Sequence, residues 1–352
     1  METTKIRPKV AGKATSFDIA HLAGVSQPTV SRALRGSPMV SPETRQRVQA
    51  IARELNYKVD KNASNLRFQH SNTLALLFFE DPTPDDSLIN PFFLSMVGSI
   101  TRACVRQGYD LLLSFQQQSG DWHVDYEDSR KADGIILLGY GDFHEYRARL
   151  ELLVAQGTRF VRWGQVRPDQ PGVSVGCDNF QGGREVTRHL LQLGRRRIAF
   201  LGHASSHYPE FEERFLGYRS ALARNGLEAD PSLQVDAITT ESSGYEAARV
   251  LLSRGAAFDA IVGASDLIAI GAMRALAEAG LDVPGDVAVV GFDDLPAAGL
   301  SNPPLTTVMQ DTRLAGDALV DTLLRLVRGQ PATDRLLPTR LVVRRSCGAG
   351  PT

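Results

Sequence analysis

Residues Ala23–Gly36 read AGVSQPTVSRALRG, and the folding of this stretch decides what the N-terminal part of the chain is for. Gly24 supplies a tight turn, Ser26 opens an amphipathic run, and Val30, Ala33 and Leu34 recur at helical spacing before Gly36 ends it. With Val25 as a plug and Val30 and Ala33 turned inward, Gln27, Pro28, Thr29, Ser31 and Arg32 face outward. A helix that reads DNA needs such a face. Gln pairs bidentately with adenine, Arg with guanine, and Ser or Thr with a base or a phosphate. Pro28 has no N–H and offers only apolar contact, as to a thymine methyl. A capped helix that merely follows a tight turn is the plainer reading of the same letters.

Outward from that stretch the pattern continues. Upstream, SFDIAHLAG opens at Ser16, read as the N-cap of a first helix whose apolar face is Phe17, Ile19, Ala20 and Ala23. Downstream, SPET places Ser41 as a cap and Pro42 at the first helical position, where its missing N–H costs little; Val48, Ile51, Ala52 and Leu55 mark one face of this third helix. From Met1 to Asn72, twelve Lys and Arg stand against five acids, a net +7, while the whole chain carries −1 and the remainder therefore −8. A basic head on an acidic body points to a polyanion partner for the head alone. The opening METTKIRPKVAGK reads as a loose basic arm. DKNASNLRFQHS, with Leu66 the one large apolar residue before Phe68, reads as a linker.

From Asn72 the texture changes. TLALLFF, YDLLLSF, ADGIILLG, RFVRWG, RRIAFLG, FDAIVGAS and DVAVVGFDD are apolar runs of strand length, separated by helical stretches such as NPFFLSMVGSITRACVRQG. Apolar strands without alternation predict parallel sheets covered on both faces. Gly or Asp at their C-terminal ends stands where open α/β sheets bind ligands. A chain of 352 residues, 43% hydrophobic and 22% charged, has material for two such sheets and a cleft between two lobes. No apolar run is long enough to cross a bilayer and no signal-like segment opens the chain, so a cytoplasmic location without a membrane partner is expected. Cys104, Cys177 and Cys347 are far apart and form no CxxC, which argues against disulfides or zinc. His203 and His207 lack a matching carboxylate pattern for a metal. GYGDF and FQGGRE fit neither a P-loop nor a dinucleotide fingerprint, and no cofactor is expected.

The segment DIAHLAGVSQPTVSRALRGSPMVSPETRQRVQAIARELNYKVDKNASNLR resembles the DNA-binding head of the lactose-repressor/purine-repressor (LacI/GalR) family of bacterial transcription regulators, through AGVS, TVSRAL, the SPETRxRV helix start and ELNY. The resemblance implies a small all-α helix-turn-helix head over 1–59 and a hinge segment over 60–72. Over 73–346 it implies an α/β two-lobed core like the periplasmic binding proteins, on two parallel doubly wound sheets. It places the N-lobe at about 73–174 and 308–346 and the C-lobe at about 175–307. By the same resemblance Gln27 and Pro28 are the chief base readers, Thr29, Ser31 and Arg32 support base or phosphate contacts, and Ser16, Ser26, Asn56 and Tyr57 hold the DNA backbone. Leu66 takes the place of the leucine that family members wedge into the minor groove, kinking the duplex. Asp60 and Asn62 depart from the family's hinge pattern.

In the body the resemblance implies a small-molecule effector, a carbohydrate, in the cleft. NPFF puts Phe92 in its lining, and FEERFLGYRSAL puts Arg214 there, whose fork can hold two hydroxyls or a carboxylate. VVGFDD places Asp293 to accept from hydroxyls beside the face of Phe292. LTTVMQD, aligned with a strand crossing back to the first lobe, brings Gln310 near, and GASD brings Ser265, with Asp266 read as the cap of the next helix. Where many members carry an aspartate, RFVRWGQV has Trp163, Gly164 and Gln165; Trp163 reads either as a stacking surface or as a core residue. The expectation is a homodimer or tetramer on a near-palindromic double-stranded operator, associated with the nucleoid when bound, a repressor and not an enzyme. Alternatives are a sugar-binding transport protein, against which the basic head speaks, and a regulator acting as activator or with a corepressor. An α/β enzyme needs a nucleophile, a metal cluster or a phosphate loop, and none is visible.

Overall fold

A computed structural model describes residues 14–57, 70–78, 89–116, 120–139 and 141–350, and the chain divides into two units, Met1–Gln69 and His70–Thr352. Leu66, the expected wedge, lies outside the described residues, as does 60–69 of the expected hinge.

In the head, α1 (Ser16–Ala23), α2 (Gln27–Leu34) and α3 (Pro42–Glu54) close on Ile19, Ala20, Ala23, Val30, Ala33, Val40, Val48 and Ala52. The cap of α1 is Thr15 rather than Ser16. Thr15 Oγ1 accepts from the Asp18 N–H at 3.3 Å, and the Asp18 carboxylate accepts from the Thr15 N–H at 2.7 Å, a reciprocal capping box that makes Ser16 the first helical residue. Phe17, expected inside, is 71% exposed, because two residues of helix turn it to the side opposite Ile19. Gly24 has φ +63 and Gly36 φ +74, so both turns flanking α2 use the left-handed backbone that glycine adopts without strain. Arg45 donates to the carbonyls of Ser37 at 2.7 Å and Val40 at 3.2 Å, tying the loop after α2 to α3.

The second unit holds two six-stranded sheets. The first runs β11-β5-β4-β3-β1-β2, with β1 (Thr73–Phe78), β2 (Asp110–Phe115), β3 (Gly134–Leu138), β4 (Phe160–Trp163), β5 (Val173–Cys177) and β11 (Arg335–Leu337), all parallel. The second runs β12-β10-β9-β8-β6-β7, with β6 (Ile198–Leu201), β7 (Gln234–Val235), β8 (Ala260–Gly263), β9 (Ala288–Asp293), β10 (Thr306–Gln310) and β12 (Thr339–Val342), parallel except for β12 against β10. The central strands β1, β3, β8 and β9 are buried nearly throughout, as their unbroken apolar runs require. YDLLLSF is the exception. Among the described residues its strand β2 pairs only with β1, and Leu112, Leu113 and Phe115 are exposed at the sheet edge.

The lobe boundaries differ from the expected ones. β5 completes the first sheet, so the chain leaves that lobe after Cys177. β10 stays in the second sheet instead of crossing back. The helix after it, α11 (Thr312–Val327), packs against α4 (Pro91–Arg106) and the first sheet, β11 joins that sheet, and β12 returns to the second. The stretch 308–346, expected whole in the first lobe, is thus divided. Three short crossings connect the lobes, and the Asp178 N–H donates to the Leu337 carbonyl at 2.9 Å, joining two of them.

Candidate functional site

On the head, the candidate reading face is α2. Pro28 and Arg32 are exposed and Gln27, Thr29 and Ser31 half-buried, while Val30 and Ala33 anchor the opposite face. Pro28 sits in the first turn, where no intrahelical bond is lost. Ser26 occupies the cap position but spends its hydroxyl on Thr29 Oγ1 at 2.9 Å, not on a backbone N–H. Gln27 Nε2 reaches Ser16 Oγ at 3.4 Å, linking the starts of α1 and α2. Ser31 is held by Arg35, whose Nη2 donates to Ser31 Oγ at 2.8 Å. Arg32 has no side-chain partner among the described residues and projects into solvent. Asn56, at φ +48, and Tyr57, whose N–H donates to the Ala52 carbonyl at 2.8 Å, close α3 some way along the chain from this face.

The cleft lies between the lobes at the C-terminal ends of β4, β9 and β10. Its first-lobe wall is aromatic: Phe92, in the first turn of α4 behind the cap Asn90, and Trp163, at the end of β4, are both buried with ring centroids 6.1 Å apart. The second-lobe wall is a polar cluster inside an apolar shell. Arg214 comes from α7 (Pro209–Arg224) and is 1% exposed; its guanidinium lies 3.8 Å from the Phe292 ring centroid. Its Nε donates to Asn179 Oδ1 at 2.8 Å, and its Nη1 donates to the Ala264 carbonyl and stands 3.9 Å from Asp293 Oδ1. Gln310 Nε2 donates to Asp293 Oδ1 at 2.6 Å. Burial pushes the Asp293 carboxyl up to about 6, a cost of lost hydration that outweighs the pull of Arg214 and the Gln310 bond. Gln310 Oε1 is buried with no hydrogen-bond partner among the described residues.

Of the expected effector residues, Phe92 and Trp163 pair on the first lobe, and Arg214, Phe292, Asp293 and Gln310 cluster on the second. Ser265 uses its hydroxyl as the cap of α9 (Asp266–Glu278), accepting from the Ile268 N–H at 3.3 Å. Asp266 is therefore not the cap; it is the first helical residue and fully buried.

Sequence reasoning missed three contributors. Asn179 opens α6 (Asn179–Gln192) and bridges the lobes, accepting from Arg214 while donating through Nδ2 to Gln165 Oε1 at 2.8 Å. Glu210 accepts from the Gln165 N–H at 2.7 Å, a second bridge. Arg162, beside Trp163 on β4, is buried and donates to the Gln165 carbonyl at 3.0 Å, while its Nε has no partner among the described residues. It borders a cavity of about 30 Å³ with Tyr146, Trp163 and Glu210, room for a water or two. A charged letter inside the apolar run RFVRWG was the available signal.

Over that cavity the lobes are strapped together. His207 Nδ1 lies 2.7 Å from Asp142 Oδ2, the Phe143 N–H donates to the His207 carbonyl at 2.8 Å, and His144 Nε2 lies 3.1 Å from Ser206 Oγ. His207, rejected as a metal ligand, has a partner of another kind. Its contact helps to hold the Asp142 carboxyl below its usual range although burial acts the other way.

Residues 17–60 match the family described as bacterial regulatory proteins, lacI family, and residues 187–347 match a periplasmic binding protein-like domain. The HTH-type transcriptional regulator CelR of Thermobifida fusca is 34% identical, covering 93% of this chain and 96% of CelR. The ribose operon repressor of Escherichia coli (strain K12) is 30% identical over 94% of this chain and 99% of its own length. A solved lac repressor dimer, bound to operator and the anti-inducer ONPF, aligns with a TM-score of 0.82 at 30% identity, covering 96% of this chain and 100% of that one. A complex of the transcriptional regulator CelR with cellobiose aligns at 0.71 and 32%, covering 95% and 99%. At this similarity over almost its whole length, the chain belongs to the LacI family of bacterial regulatory proteins.

Proposed function

We propose that the protein is a DNA-binding transcription regulator, a repressor whose hold on a near-palindromic operator is set by a carbohydrate bound between the lobes. One observation carries this reading: a single chain joins an exposed helix of DNA-reading composition to a buried polar cluster of Asn179, Arg214, Asp293 and Gln310 on the ring of Phe292, with a buried aromatic pair, Phe92 and Trp163, on the other lobe. Aromatic faces with a few convergent hydrogen-bonding groups suit a sugar ring and its hydroxyls. CelR, solved with cellobiose, supports a carbohydrate as the class.

In this reading Gln27, Pro28, Thr29, Ser31 and Arg32 meet the major groove, with Ser16, Ser26, Asn56 and Tyr57 on phosphates and Leu66 in the minor groove. The protein works as a homodimer, as the solved lac repressor on its operator supports. Exposed Leu112, Leu113 and Phe115 on the first-sheet edge, with Leu94 and Val105 on α4, supply an apolar surface for the second subunit. The strap at Asp142 and His207 joins the lobes on one side, and in this reading the effector enters by opening it. It then biases the lobe arrangement that the 60–72 hinge transmits to the heads. The chain acts in the cytoplasm and catalyses no reaction, in keeping with its regulator relatives; none of the described helices is long and apolar enough to cross a membrane.

The test is a binding assay. Fluorescence anisotropy on a palindromic duplex selected by the full-length protein is followed while cellobiose, ribose and related neutral sugars are added. One of them is expected to change operator affinity at least tenfold. A protein that selects no duplex, or whose operator affinity no carbohydrate alters, rules the proposal out.

A further inference from the structure

Asp266 is a fully buried carboxylate that the start of α9 does not need, because Ser265 already caps that helix. Burying a carboxylate is expensive unless it is hydrogen-bonded, and its bonds run away from its own helix. Oδ1 accepts the hydroxyl of Thr307 on β10, and Oδ2 accepts the Leu295 N–H at 2.7 Å. Gly291 on β9 leaves room for this: a Cβ there would lie 2.3 Å from Asp266 Oδ1. One side chain therefore joins α9, β10 and the turn that follows β9.

That turn carries Asp293. Asp293 and Asp294 hold φ +119 and +58, backbone that L residues other than glycine seldom adopt and that persists only when its surroundings impose it. Asp294 is tied by Arg344 Nη2 at 2.6 Å, and the next residue, Leu295, is tied by Asp266. With both ends held, Asp293 Oδ1 faces Gln310 Nε2 and Arg214.

We propose that Asp266 is a positioning residue of the effector site, clamping the Asp293–Leu295 turn so that the Asp293 carboxylate points into the cleft. This rests on the reading of the cleft as a carbohydrate site with Asp293 as a ligand group. Burial, and after it the nearby Asp293 carboxylate, disfavours the ionised form of Asp266.

Asp266→Asn separates shape from charge. An asparagine can keep its oxygen on the Leu295 N–H and turn its NH2 to Thr307 Oγ1, which accepts as well as donates. Asp266→Ala removes both bonds. The full-length variants are compared by hydrogen exchange at the Leu295 amide and by calorimetric titration with cellobiose as probe between pH 5 and pH 8. In the Ala variant, exchange at Leu295 is expected to rise at least tenfold and probe affinity to fall at least tenfold, with operator affinity in the absence of probe unchanged. The Asn variant should restore both to within about threefold of wild type. An Ala variant with wild-type exchange and affinity overturns the proposal, and so does an Asn variant that fails to rescue. Should the Ala variant not fold, Thr307→Val carries the same test, because it takes one of the two partners from the same carboxylate. If wild type binds no cellobiose while exchange follows the expected order, the clamp stands and the carbohydrate reading fails.

Discussion

Arg32 and Asp293 show how one side chain's surroundings set its use. Arg32 is exposed on α2, and its guanidinium is available to a guanine edge. Arg32→Ala is expected to cost about 1–3 kcal/mol on the selected operator and much less on a scrambled duplex; equal losses on both would demote it to a phosphate contact. Asp293 is the reverse case, a carboxyl that the fold makes harder to ionise, up to about 6 against roughly 3.9 in an unfolded chain. The native state then holds the proton more tightly than the unfolded one. Its contribution to stability is full below the unfolded value, declines as pH rises through about 4 to 6, and stays lost above. Two units set an upper bound of about 3 kcal/mol. Chemical denaturation at pH 4 and pH 6.5 should show this decline in wild type and a flatter profile in Asp293→Asn; identical profiles would refute it. The motifs around Arg214 and Asp293 marked both as candidate ligand groups, and the structure brings the two side chains within 3.9 Å of each other. The mutual use of Asp266, Thr307 and Leu295 was not, because a buried carboxylate looks the same in sequence as a helix cap.

Elements hold these residues in place through caps and close approaches. The box formed by Thr15 and Asp18 starts α1, and Thr15→Ala should destabilise the head by about 1 kcal/mol in thermal melts of the full chain followed at head residues. In the core, α6 and α7 meet at glycines: a Cβ on Gly183 would stand 2.2 Å from the Arg214 carbonyl oxygen, and one on Gly217 2.1 Å from that of Phe180. Gly183→Ala must therefore move the backbone that carries Arg214. Operator binding is expected to persist while the effector response weakens at least tenfold, read in the anisotropy assay; an unaltered response would show that the helix contact is compliant. Apolar runs announced the strands, and Ser41–Pro42 announced α3. Neither the 34-residue separation of Gly183 and Gly217 nor the helix contact they permit had any periodic signal, since close helix packing depends on which faces the sheet presents.

At the scale of the whole molecule, the two sheets are joined by three crossings, and the polar bridges of Gln165, Asn179 and Glu210 span the space between them. The strap of Asp142 and His207 closes one side. His207→Ala should loosen closure and speed release of a bound sugar in stopped-flow dissociation, with operator selection unaltered; wild-type release would exclude a closing role. The apolar edge of β2 makes a second prediction. Leu113→Lys should shift the protein toward monomer in sedimentation and lower operator affinity at nanomolar protein, whereas a stable dimer would move the interface elsewhere.

The chain's own letters determined the helical head, the exposed composition of α2, the parallel α/β character of the body and the basic-against-acidic division of charge. Each of these depends on spacing within a few residues or on composition, which local propensity and hydrophobic periodicity read directly. Tertiary structure alone decided that Phe17 faces water, that β2 is an edge, that β10 stays in the second sheet while the chain after it crosses twice, and that Asp266 serves a turn rather than its own helix. Those outcomes depend on partners that sheet order brings together from far along the chain. The cost of burying a charge is likewise a property of the assembled surroundings and not of the residue itself.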